Sequence, residues 1–252
     1  MDEVRVYAWA DGCSAPEVLT MLQRFSGKLG AVLYRRSFAA AYEPGSFIAF
    51  CGGIDDVKSV VALVQNGAKF RAVILMDELN LTSTFSSYAA EAIAAKKLLD
   101  GVGIPFWGMS THGMLAPSTP PDYTWLREEA SQLRVPVLCW NASGTRSSIL
   151  GGIGTIKMPR FLWFLSPHPW RFTLWPPFDS GWMNWLLDHL HGRTAYWYAS
   201  KVARLPNVAG VGLWCLRSYG HGHFGLFTKG GKLTGIGRGV KRALDEWDRR
   251  RQ

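Results

Sequence analysis

The stretch Arg71–Asn80, "RAVILMDELN", decides how the chain is read. Apolar residues run without a break from Ala72 to Met76, and two carboxylates follow at once, Asp77 and Glu78. A short apolar run bounded by polar residues reads as a strand buried on both faces, the kind found in parallel sheets. Such a strand turns polar wherever it leaves the core. The paired acids are therefore either a plain strand end or a site. As a plain end, Asp77 caps the next turn and Glu78 pairs with a basic side chain. What stands at the ends of the other strands separates the two readings.

The same kind of run recurs on either side. "VRVYAWA" (4–10), "GAVLYRR" (30–36) and "SFIAFCGG" (46–53) precede it as strands. "APEVLTMLQRF" (15–25) and "VKSVVALVQNG" (57–67) have helical spacing, the second with Gly67 as its C-terminal cap. "SFAAAYEPG" (37–45) is too short for a long helix and reads as a turn of helix or an extended loop. Downstream, "STFSSYAAEAIAAKKLLDGVG" (83–103) is the clearest helix, rich in alanine with periodic Leu and Ile. "IPFWGMS" (104–110) and "VPVLCWNAS" (135–143) read as the fifth and sixth strands, with a helix at "YTWLREEASQLR" (123–134). "SGTRSSILGGIGTIKMP" (143–159) reads as a loop, and "RFLWFLS" (160–166) as the seventh strand. Helices at 180–192 and 194–205 lead to the eighth strand, "VAGVGLWCLRS" (208–218), and a closing helix within 232–250.

Strands that alternate with helices imply parallel pairing through crossover helices. Eight of them is the number that closes a (β/α)8, or TIM, barrel. The chain has 252 residues, a length such barrels reach as one domain, and no boundary or repeat interrupts the pattern. The expected architecture is a single α/β barrel domain over 1–252. An open doubly wound parallel sheet is the alternative.

In a barrel of this kind the site lies at the C-terminal ends of the strands. The inferred ends carry Trp9 and Asp11 from strand one, Glu43 beyond strand two, and Asp55 beyond strand three. They carry Asp77 and Glu78 from strand four, Trp107 and His112 from strand five, and Trp140 and Asn141 from strand six. His168 follows strand seven, and Trp214 and Arg217 end strand eight, with His221 and His223 further on. Acids, indoles, an amide and histidines thus share one end. Twelve tryptophans exceed what a core of this size needs, and flat indole faces suit the C–H faces of sugar rings.

Two stretches resemble the barrel glycoside hydrolases, above all the large clan with a retaining mechanism. "VILMDELN" is similar to the end of that clan's fourth strand, where an Asn-Glu pair stands. By that resemblance Glu78 is the general acid/base, and Asp77 takes the place of the Asn that binds the sugar 2-hydroxyl. "VAGVGLWCLRSYGHGHFGLFTKGGKLTGIGRGVKRAL" is similar to the clan's close, with Trp214 under the sugar. The clan places a nucleophilic Glu at the end of strand seven. Here "FLWFLSPHPW" (161–170) holds His168 and no carboxylate. Either the strand count differs, or the barrel has lost hydrolase chemistry, or the second acid comes from elsewhere, with Asp11, Glu43, Asp55 and Asp179 as candidates. A glycosidase normally needs two carboxyl groups, roughly 5 Å apart for retention and roughly 6.5–9.5 Å for inversion.

Alternation separates the two acids of strand four. If Glu78 faces the barrel interior, so do Met76, Ile74 and Ala72, and Asp77 faces the helices. Burial beside another acid raises a carboxyl pKa, which suits a general acid at neutral pH. The expected function is cleavage of a polysaccharide or peptidoglycan-like glycan, with Glu78 as acid, Asp77 tuning it or binding substrate, and Asp11 or Glu43 as base or nucleophile. Trp9, Trp107, Trp140 and Trp214 would stack sugars, and His112, Asn141, His168 and Arg217 would bind them. A non-catalytic glycan-binding or assembly protein on the same barrel is the alternative.

The remaining composition narrows the partners. The net charge of +9 suits an anionic glycan, but the basic residues are scattered, so nucleic acid is not expected as a primary partner. No cofactor is expected. His221 and His223 lack the further ligands that a metal site needs, so no metal is expected either. "TGIGRG" (234–239) is a weak anion-binding pattern at a helix start. The four cysteines form no CxxC pair, and Cys13 is a weak candidate nucleophile. No signal peptide or membrane-length apolar run is visible, so the chain is expected to be cytoplasmic as made.

Overall fold

A computed structural model describes residues 4–75, 86–111, 138–140, 147–150, 192–193, 195–197, 199–200, 203, 210–213, 215–217 and 225–249. The strands are β1 (Val6–Trp9), β2 (Gly30–Leu33), β3 (Phe47–Cys51), β4 (Ala72–Leu75), β5 (Phe106–Thr111), β6 (Leu138–Trp140), β7 (Ser147–Leu150) and β8 (Gly210–Leu213). The helices are α1 (Ala15–Gln23), α2 (Ile54–Gln65), α3 (Ser86–Asp100) and α4 (Gly235–Arg249), with a 3-10 helix at Arg35–Tyr42 between β2 and β3. The strands pair in chain order, and β8 returns to pair with β1.

Pairing is parallel from β1 to β6 and between β8 and β1. This is the expected parallel α/β sheet, and it departs from a regular (β/α)8 barrel at one place. β7 is antiparallel to both β6 and β8. It falls in the segment expected to be a loop, whereas the expected seventh strand at 160–166 lies outside the described residues. The reason is chain length. Only residues 141–146 separate β6 from β7, and a parallel crossover needs about a dozen residues or more. A strand that follows so closely can only turn back.

The sheet sorts its side chains by alternation. Val6 and Ala8 of β1, Ala31 and Leu33 of β2, Phe47 and Ala49 of β3, and Val73 and Leu75 of β4 pack in the larger core. They meet Val18 and Leu22 of α1, Val57 and Val60 of α2, and Val240 and Leu244 of α4. Tyr7, Trp9, Val32, Ile48, Phe50 and Ile74 point the other way and form a second cluster that contains no helix residue. That second cluster fills the inside of the ring. Strict period-two sorting with both sets buried is the mark of strands covered on both faces.

The end of the ring where the strands begin is closed by polar contacts. Arg71 Nη1 donates to the Val4 carbonyl at 2.6 Å, and its guanidinium lies 5.9 Å from the Tyr7 ring. The Tyr7 hydroxyl donates to the same carbonyl at 2.8 Å. This leaves the opposite end, where the strands finish, as the mouth.

Helix ends follow their sequence signals. Gly67 has φ +98°, a left-handed conformation that costs glycine little, and Ala68 N donates to Leu63 O at 3.0 Å to finish α2. The Thr234 hydroxyl accepts the Gly237 amide at 3.1 Å and donates to the Gly225 carbonyl at 2.6 Å, which caps α4. The glycines of "TGIGRG" serve close packing. A Cβ at Gly239 would lie 2.0 Å from the Gly192 carbonyl oxygen, and one at Gly237 would lie 2.1 Å from that of Leu226.

Candidate functional site

The mouth is built on aromatic residues. Trp9 ends β1, Tyr34 follows β2, and Phe50 lies near the end of β3. Ring centroids are 5.9 Å apart for Trp9 and Tyr34, 5.5 Å for Trp9 and Phe50, and 4.8 Å for Tyr34 and Phe50. Their rings meet at tilted and edge-on angles, the arrangement that aromatic quadrupoles favour. Trp9 has no exposed surface and Tyr34 is only partly buried. Trp9 therefore backs the cluster from inside the ring. Tyr34 is not among the residues the strand ends single out, but the period-two series Gly30, Val32 and Tyr34 signals its direction.

Charged side chains lie on the segments that follow β1, β2, β3 and β8. The chain after β1 turns through Asp11, partly buried, and Gly12, with φ +66°. Ser14 opens α1, and its amide and hydroxyl both donate to Glu17 Oε2, at 2.7 and 2.8 Å. This is the reciprocal cap that the spacing Ser14-x-x-Glu17 encodes. Arg217 arrives from β8, pairs through Nη1 with Glu17 Oε1, and donates through Nη2 to the Gly12 carbonyl at 3.3 Å. The Ser14 hydrogen bonds and the Arg217 cation hold the Glu17 carboxyl down at about 2, from 4.5. Burial pushes the Cys13 thiol up to about 11, so its thiolate is scarce at neutral pH and a nucleophilic role is disfavoured.

The acids beyond β3 have structural partners. Asp56 Oδ2 accepts the Gly52 amide at 3.1 Å, and Oδ1 lies 3.6 Å from Arg35 Nη1. Asp55 is exposed and pairs with Lys58 at 2.8 Å, which lowers its pKa through that hydrogen bond and charge. Both acids sit in the first turn of α2, where carboxylates favour the helix N-terminus. Asp55 is thus a solvated helix residue, away from the ring interior.

Other expected site residues fall in different places. Glu43 is exposed at the end of the 3-10 helix, four residues before β3 begins. The crossover has by then carried the chain to the end of the ring opposite the mouth. The Lys69 amide, just ahead of β4, donates to Ala41 O at 2.7 Å at that same end. Glu43 is therefore set aside as a partner acid. Trp107 is the second residue of β5, which extends to Thr111, so it lies below the strand's end. Trp140 is the last residue of β6, one step beyond the pairing of Thr111 with Cys139, and stands at the mouth. Asp77, Glu78, His112, Asn141, His168, Trp214, His221 and His223 lie outside the described residues. Among the described residues no group of three or more His, Cys, Asp or Glu is placed to hold a metal ion. Among them, too, no helix is long and apolar enough to cross a membrane.

No family model matches the chain, and no curated protein matches it. Among solved structures it is similar to a GH128 (subgroup I) endo-beta-1,3-glucanase from Amycolatopsis mediterranei, in complex with laminaritriose. The likeness covers 95% of this chain and 99% of that one, with a TM-score of 0.54 and 13% identity. At that identity the likeness is one of fold, and it extends over nearly the whole of both chains.

Proposed function

We propose that the protein is a glycoside hydrolase on one (β/α)8-barrel domain spanning 1–252, cleaving a polysaccharide or peptidoglycan-like glycan with Glu78 as general acid. The observation that carries this reading is the register of β4. Ile74 packs in the interior cluster with Trp9 and Phe50, while Val73 and Leu75 pack against the helices. A strand continued with the same alternation would turn Glu78 inward and Asp77 outward. The endo-beta-1,3-glucanase of similar fold suggests the substrate class, with β-1,3-glucan as the first to try.

Asp11 is the proposed base or nucleophile, because it stands at the mouth beside Trp9. Asp77 tunes Glu78 or binds a sugar hydroxyl. Trp140 and Trp214 are proposed to stack sugar rings, with Trp107 deeper and Trp9 behind Tyr34. His112, Asn141 and His168 are proposed to hold hydroxyls. An anionic glycan would suit the charge of +9.

A second reading is a barrel that binds glycan without cutting it. It draws support from the absence of a carboxylate in "FLWFLSPHPW" and from the pairing of Glu17 and Asp56 with arginines at the mouth. Reducing-end release from a panel of polysaccharides tests both. The hydrolase reading expects cleavage of at least one glycan and a loss of about 100-fold or more in Glu78→Gln, with an unchanged melting curve. Binding without release by the wild type favours the second reading. Full turnover in Glu78→Gln would remove Glu78 from the chemistry.

A further inference from the structure

We infer that Arg217 is a positioning residue: it holds the turn after β1 and so sets where the Asp11 carboxylate stands at the mouth. This rests on the hydrolase reading in which Asp11 is the second acid. The sequence places Arg217 among the sugar contacts, but both ends of its guanidinium are turned to the protein. Nη1 pairs with Glu17, and Nη2 donates to Gly12 O, the carbonyl next in the chain to Asp11.

The geometry makes a frame of three fixed points. The Leu216 amide donates to Trp9 O at 2.6 Å, so the chain beyond β8 lies directly against the end of β1. That contact delivers Arg217 over the turn. Glu17 is itself fixed, because its other oxygen accepts both the amide and the hydroxyl of Ser14. The turn is closed from below by Ala10 N donating to Val32 O at 2.9 Å and Cys13 N donating to Ala10 O at 3.0 Å. Between these anchors Gly12 takes its left-handed φ, and the Gly12 carbonyl receives the arginine.

The charges acting on the buried thiol of Cys13 describe the neighbourhood of this turn. They are Arg217 from the β8 side, Glu17 from α1, Asp11 itself, and Arg36 from the 3-10 helix. Among the described residues, two cations and two carboxylates act there. Removing Arg217 releases the Gly12 carbonyl and takes the paired cation from Glu17, which Ser14 still holds. A reacting group displaced by about 1 Å can lose on the order of 100-fold in rate. A residue that merely touched sugar would instead weaken binding.

The test is a double-substitution cycle on whichever glycan the wild type cleaves. Arg217→Met and Glu17→Gln are each expected to lower kcat by roughly 10- to 100-fold while KM stays within about 3-fold. The double variant should be no worse than the weaker single one, because both break the same frame. Arg217→Lys keeps the charge, is expected to recover part of kcat, and stands in should the Met variant fail to fold. A rise in KM with kcat intact, or losses that multiply in the double variant, would make Arg217 a substrate contact and overturn the inference. Undiminished kcat in Asp11→Asn would overturn it too, while leaving Glu78 untouched. A wild type that cleaves no glycan overturns the hydrolase reading and this inference together.

Discussion

Glu17 joins helix capping, charge pairing and the shape of the mouth in a single side chain. Its carboxyl is held at about 2 against 4.5 for the free group, first by the Ser14 amide and hydroxyl and then by Arg217. A depressed carboxyl pKa contributes stability above the unfolded value and loses it as pH falls toward the folded one. The Glu17 side chain is 38% exposed, so solvent screens the ion pair and the effect is modest. The difference in melting temperature between wild type and Glu17→Gln should be largest above about pH 4.5 and close as pH falls toward 2. A gap that stayed constant over this range would show that the ionised form of Glu17 plays no part in it. At this scale the cap was legible in Ser14-x-x-Glu17, whereas the pairing with Arg217 was not. Two hundred residues separate those partners, and only closure of the ring brings them together.

At the scale of elements, the sequence was read best where local pattern and burial agree. β1 to β4 and their helices fall where the apolar runs and caps put them, because each strand is covered on both faces. β7 is hidden in the sequence because "SSIL" is short and follows a glycine-bearing stretch that has the look of a loop. Its pairing is decided by the six-residue connection from β6, a constraint of geometry and not of composition. Glu43 was misplaced for a related reason. The 3-10 helix spans Arg35–Tyr42 and uses up the connection, so its end belongs to the next strand's beginning. The glycines of α4, a weak anion-binding pattern in the sequence, let two backbones touch. Gly239→Ala would drive a Cβ onto the Gly192 carbonyl, with backbone on both sides and little room to yield. Overpacking of that kind costs about 1–3 kcal/mol. Gly230→Ala is the control, since its Cβ would meet only Thr228 Oγ1 at 3.9 Å. Urea unfolding should show the loss for Gly239→Ala and almost none for Gly230→Ala. Equal midpoints would mean that the α4 crossing is looser than it looks.

For the whole molecule, the strand order made the mouth, and the mouth sorted the candidates. Asp11, Tyr34, Phe50, Trp140 and Arg217 lie at the end where strands finish, and Glu43 lies at the other. Glu78, three residues past the end of β4 in the sequence, and Asp11 after β1 are the proposed pair. The division of labour between them is what a leaving-group comparison reads. A general acid matters most when the departing oxygen needs its proton and least when the leaving group is already stable as an anion. The decisive measurement is therefore the turnover of Glu78→Gln on a natural glycan and on an aryl glycoside of the same sugar with a strongly acidic phenol. With Glu78 as the acid, loss on the glycan should reach about 100- to 10,000-fold and loss on the aryl glycoside should stay within about 10-fold. Equal losses on both substrates, or none on either, would contradict the assignment of Glu78 as the acid.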